Sequence, residues 1–149
     1  MIYLAQPYWH VGEDIRNERA EIAADVTTAL INRGFVVFSP IVYGTTIKEN
    51  IYFEGLENKE WVDLDIKILS KCKLVLILAL PGWTKSKGLE RELQLTQASN
   101  TPHLFIEWDS NKMLDQIDDY FERIEACIKM NNVSSHCCFK TPADAPSCQ

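Results

Sequence analysis

The run Leu74 to Leu80, LVLILAL, stopped at once by Pro81-Gly82, constrains this chain more than any other stretch. It is too short to span a bilayer, which takes about 20 apolar residues, and its length suits a strand covered on both faces in the middle of a parallel sheet. After the stop, Ser86 is placed to cap a helix that begins near Lys87 and runs to about Ala98. Strand, sharp turn and helix start together make the place where open parallel sheets bind ligands, because exposed backbone N–H groups and the helix dipole favour an anion there. Inside that helix Glu92 lies beside Leu89 and Leu93, whose spacing marks the sheet-facing side. A carboxylate bordering a buried face needs a reason.

The flanking sequence supplies the rest of a strand–helix alternation. Ile2 to Ala5 is a short apolar strand, ended by Gln6-Pro7 before an aromatic loop, Tyr8 to Gly12. From Glu13 to Asn32 the residues Ile15, Ile22, Val26, Ala29 and Leu30 recur at helical spacing, and Gly34 supplies the stop. Phe35 to Phe38 reads as a second buried strand closed by Ser39-Pro40, with a crossover long enough to be parallel and right-handed. Ile41 to Glu57 carries no clear period and reads as a long loop over the site. Lys59 to Lys71 is helical by Trp61, Leu64, Ile68 and Leu69, with Asp65 beside Leu64. His103 to Ile106 is a fourth strand, and Met113 to Lys129 a second long amphipathic helix. Periodicity ends at Asn131, so residues 1–130 read as one α/β domain and 131–149 as an irregular tail.

Composition narrows the function. A net charge of −6 with 15 Lys and Arg speaks against binding a nucleic-acid polymer, which takes a clustered basic surface, whereas a free nucleotide takes only a local positive patch. Five cysteines and a start directly into a strand read as a reduced, cytoplasmic protein without a membrane partner. His136, Cys137, Cys138 and Cys148 do not match paired zinc spacing, so no metal is expected.

The residues Ser86-Lys87-Gly88-Leu89-Glu90-Arg91-Glu92, reading S-x-G-x-x-x-E directly after a strand that ends L-P-G-W, resemble the nucleoside 2-deoxyribosyltransferase superfamily, which includes deoxynucleoside monophosphate N-glycosidases. The resemblance spans roughly residues 1–108. It implies a flavodoxin-like three-layer fold with a parallel sheet of four or five strands, and no organic cofactor. It also implies that Glu92 attacks the anomeric carbon of a nucleoside or nucleotide, that Tyr3 aims it, and that Asp65 assists the leaving base. Asp63 competes with Asp65 for that role. The sequence departs from the resembled pattern at Gln6, Lys73, Gln94 and Thr96, which is expected to reshape the pocket.

Residue chemistry points the same way. Breaking a C–N glycosidic bond passes through an oxocarbenium-like state, which a facing carboxylate stabilises. Arg16 and Arg19 in the first turns of a helix oppose its dipole, so an anion between them, a 5′-phosphate, would explain them, unless Glu13, Glu18 and Glu21 pair with them instead. Ser86 would add donors from the other side, Gly88 would admit close approach to the backbone, and Gln6 and Pro7 would border the ligand. Of Trp9, Trp61, Trp83 and Trp108, Trp83 is the expected stacking partner of a base. The expected reaction is cleavage of the N-glycosidic bond of a (deoxy)nucleoside 5′-monophosphate. Base exchange by a deoxyribosyltransferase and a non-catalytic nucleotide sensor are the alternatives. The apolar stripe of the last helix, with Trp108 before it, is expected to pair the chain as a homodimer or larger assembly, with the loop around Tyr43 to Gly55 or the C-terminal segment reaching a neighbour's site.

Overall fold

A computed structural model describes residues 1–47, 59–107, 121–126 and 128–129. Four strands, β1 (Ile2–Ala5), β2 (Val37–Phe38), β3 (Leu74–Ala79) and β4 (His103–Glu107), form one sheet in the order β2-β1-β3-β4. Every pairing is parallel, with Tyr3 opposite Phe38 on one side and Val75 on the other. The helices are α1 (Glu13–Asn32), α2 (Pro40–Ile47), α3 (Lys59–Leu69) and α4 (Lys87–Ala98). Residues 121–126 and 128–129 are also helical. No helix among the described residues is long and apolar enough to cross a membrane.

Side chains alternate across a strand, so one sequence feeds two cores. Ile2, Leu4, Leu74, Leu76 and Leu78 face α1 through Ile22, Val26 and Leu30, and face the last helical segment through Phe121 and Ile124. Tyr3, Ala5, Val75 and Ile77 face the other way, onto Leu69 of α3 and Leu89 of α4. The result is a three-layer, flavodoxin-like α/β fold. Its chain reverses winding direction between β1 and β3, and ligands of such sheets bind outside the strand C-termini at that reversal.

Two elements differ from expectation. Strand β2 is only Val37–Phe38, because Phe35 N–H closes onto Leu30 O at 3.1 Å and the Phe35 ring stacks on Phe121 at 5.9 Å, tying Phe35 to the end of α1. The expected loop from Ile41 begins instead as helix α2. Ser39 Oγ accepts from Val42 N–H at 3.4 Å and Pro40 takes the first helical position, where its missing N–H costs nothing. Residues 48–58, Trp108, the first part of the expected helix from Met113, and the tail from Asn131, with His136, Cys137, Cys138 and Cys148, lie outside the described residues.

The loop after β1 is held by two arginines. Arg19, 8% exposed, donates to Tyr8 O and Trp9 O, and Arg16 donates to His10 O and Val11 O, so α1 grips four successive carbonyls. Arg19 also donates to Pro81 O at 2.8 Å, joining this loop to the one that follows β3. The carbonyl dipoles are therefore the negative partners that two arginines near a helix N-terminus require. Arg19→Lys should lower stability by about 1–3 kcal/mol in urea denaturation, because one ammonium keeps the charge but cannot reach three carbonyls in fork geometry.

Candidate active site

Glu92 is carried on the second turn of α4. The helix is started by Ser86, whose Oγ accepts from Leu89 N–H at 3.4 Å, and it is anchored by Leu89, 1% exposed against the sheet. That anchoring turns Glu92 towards β1, where the Tyr3 hydroxyl donates to its Oε1 at 2.8 Å, across 89 residues of sequence. Tyr3 itself is fully buried and packs against Phe38, ring centroids 5.9 Å apart. Thr96, 0% exposed, donates from its hydroxyl to Glu92 O at 2.6 Å and fixes the backbone one turn on.

Glu92 and Tyr3 share a pocket of about 60 Å³ with Asp65 and Val62 of α3 and with Gly88 and Arg91 of α4. Burial pushes the Glu92 carboxyl up to about 8. The Asp65 carboxylate adds to the rise, while the Tyr3 hydroxyl and Arg91 pull against it. Burial alone pushes Asp65 up to about 7, and its Oδ1 is buried with no hydrogen-bond partner among the described residues. The two carboxyls line one pocket and the charge on Asp65 opposes ionisation of Glu92, so both titrate near neutral pH. Asp63 is exposed, which sets it apart from Asp65.

A second concavity, a cleft of about 690 Å³, opens at the reversal point between the loops after β1 and β3. Pro7, Trp9, His10, Glu18, Arg19, Lys85 and Ser86 line it. Ser86 faces the cleft and Gly88 the small pocket, so the first turn of α4 separates the two. A Cβ added at Gly88 would meet nothing within 4 Å, as expected of a residue bordering open space.

The sequence-derived residues therefore divide into three sets. Glu92, Asp65, Tyr3 and Gly88 meet in the small pocket, and Pro7, Arg19 and Ser86 in the cleft. Gln6, Arg16 and Trp83 line neither. Gln6 is 5% exposed and donates to Arg19 O at 2.7 Å, and Arg16 is drawn onto the loop carbonyls. Trp83 packs on Phe105 at 5.3 Å, which gives it a role in the sheet's second core rather than as a stacking surface. Gln94 is exposed and Thr96 buried, and neither lines the small pocket or the cleft. Arg91 was not foreseen; its position one residue before the carboxylate, on the same helix, was the available signal.

A family model described as a domain of unknown function, DUF1937, matches residues 1–108, and the chain belongs to that family. Comparison with curated proteins returned no match.

The raised carboxyls make stability fall with pH. The folded state holds protons that the unfolded chain releases near 4, the ordinary values being 4.5 for Glu92 and 3.8 for Asp65. Their stabilisation is complete below about 4 and is lost as pH rises through about 7 to 8. Glu92→Gln should flatten this slope and be more stable than the parent at pH 8.5 by about 1–3 kcal/mol, with little difference at pH 4. Urea denaturation at the two pH values measures it.

Proposed function

We propose that the protein cleaves the N-glycosidic bond of a (deoxy)nucleoside 5′-monophosphate, with Glu92 as nucleophile. The hydrogen bond from Tyr3 to Glu92 Oε1, in a pocket shared with Asp65, carries this reading. A surface glutamate has no use for a buried tyrosine donor, whereas a nucleophile needs its oxygen aimed and its other oxygen left to react. The resemblance to the nucleoside 2-deoxyribosyltransferase superfamily supports the same assignment.

In the reaction, the Glu92 carboxylate bonds to the anomeric carbon as the carbon–nitrogen bond breaks, and the bond's electron pair leaves with the base. Asp65 in its protonated form delivers a proton to that base. Water then attacks the anomeric carbon, giving its proton to Asp65 and expelling Glu92. The products are free base and the sugar phosphate. A pocket of 60 Å³ holds about two waters, so a sugar enters by displacing α3, whose Val62 and Asp65 form one wall. The phosphate would lie towards Ser86 and Lys85 at the cleft. A homodimer completing the site belongs to this proposal.

Chromatography of reactions with nucleosides and 5′-monophosphates tests it, and addition of a second free base separates hydrolysis from base exchange. Glu92→Gln should lower base release at least about 10³-fold with the fold intact, and Asp65→Asn about 10²-fold. The parent's kcat/KM should be bell-shaped with its maximum between pH 7 and 8, where the pair carries one proton; Glu92 holds that proton more tightly than Asp65, so the reacting form, Glu92 ionised and Asp65 protonated, is the minor one of the two. Normal turnover by Glu92→Gln would remove the mechanism.

A further inference from the structure

The cleft is larger than the proposed substrate requires. At about 690 Å³ it has the volume of roughly twenty waters, several times what one phosphate fills. Its walls are also wrong for phosphate alone. Trp9, 52% exposed, lines it with an indole ring, while the Arg16 guanidinium, which does not line it, stacks on that ring at 5.3 Å and holds it in place. His10 Nδ1 accepts from Gly12 N–H at 3.0 Å, which leaves Nε2 as the donor of the neutral ring. Glu18 contributes an exposed carboxylate. A longer phosphate tail would be repelled by Glu18 and would leave the indole unused. A second nucleoside uses both, its base against Trp9 and its ribose hydroxyls donating to Glu18, with Lys85 and Ser86 left for the linking phosphates.

We infer that the cleft takes the second nucleotide of a dinucleotide pyrophosphate whose other sugar reaches Glu92. This rests on the proposed glycosidase reading and deepens it, by giving the substrate's 5′-phosphate a second nucleoside monophosphate as its partner. With NAD⁺ as such a substrate, the ribose–pyridinium bond breaks and its electron pair neutralises the pyridinium, which leaves without a proton from Asp65; water supplies the hydroxyl of the ADP-ribose product and gives its remaining proton to ionised Asp65, which releases it to solvent.

Preference for the leaving base is avoided by comparing two ligands that lack it, ADP-ribose and ribose 5-phosphate, by calorimetry on the full chain. ADP-ribose should bind at least about tenfold more tightly. Trp9→Ala should erase most of that difference, Trp9→Phe should keep it, and Glu18→Gln should weaken ADP-ribose severalfold, all without changing ribose 5-phosphate. Equal affinities for the two ligands, or equal losses on both in Trp9→Ala, overturn the inference. If monophosphates release base while ADP-ribose has no advantage, the reaction stands and the dinucleotide falls. If ADP-ribose has its advantage while no nucleotide releases base, the cleft's ligand stands and the reaction falls.

Discussion

Everything at the candidate site depends on the parallel pairing of β1 with β3, Tyr3 against Val75 and Leu4 against Leu76, between strands separated by three helices and an edge strand. Parallel neighbours need crossovers, and here the two crossovers leave the sheet in opposite directions, towards β2 from β1 and towards β4 from β3. The loops that follow the paired strands are thereby left facing each other with no strand between them. A cleft results from topology before any side chain is chosen. The same pairing places residue 3 on the α4 face, since alternation sends Ile2 and Leu4 to α1 and Tyr3 to the opposite core.

How much of this is legible in the sequence follows from which interactions are local. The bounds of α1 and α4 can be read from their apolar spacing, from Gly34 at φ +83° beyond one and Ser86 capping the other. β3 is legible as an unbroken apolar run. Helix α2 is missed because Ser39-Pro40 reads equally as the end of a strand and as a cap followed by a first-turn proline, and only the packing of Ile41 and Val42 with Tyr8 and Ala23 decides. Tyr3, Asp65 and Glu92 are legible as candidates through the resemblance, but their meeting is not, because the bond from Tyr3 to Glu92 closes over 89 residues. Arg16 and Trp83 line neither cavity, and Arg19, which does line the cleft, is held there by contacts that no local pattern shows. Their residue types fit a ligand site, yet the partners that claim them are backbone carbonyls and a phenylalanine ring that no local pattern reveals.

The arginine grip also divides labour between rigidity and reaction. Loops outside strand ends carry function but have few hydrogen bonds of their own. Here α1 supplies them: Arg19 reaches the loops after β1 and after β3 at once, and Arg16 braces the ring of Trp9 as well as two carbonyls. The cleft wall is thus as firm as the helix behind it.

Two half-buried carboxyls beside one tyrosine are an expensive way to fill space. Burial that lifts Glu92 to about 8 and Asp65 to about 7 acts against folding at neutral pH, and leucine or methionine would fill the same volume without that cost. Nor does the pair serve as a stabilising network, since Asp65 Oδ1 has no hydrogen-bond partner among the described residues. What the arrangement does supply is two carboxyls that titrate near neutral pH and one Glu92 oxygen fixed by Tyr3. Acid–base chemistry at a glycosidic bond requires both of these. Groups that weaken a fold while matching one reaction's needs support a catalytic origin over a structural one, and on that ground the small pocket, rather than the roomier cleft, is the place to expect bond breaking.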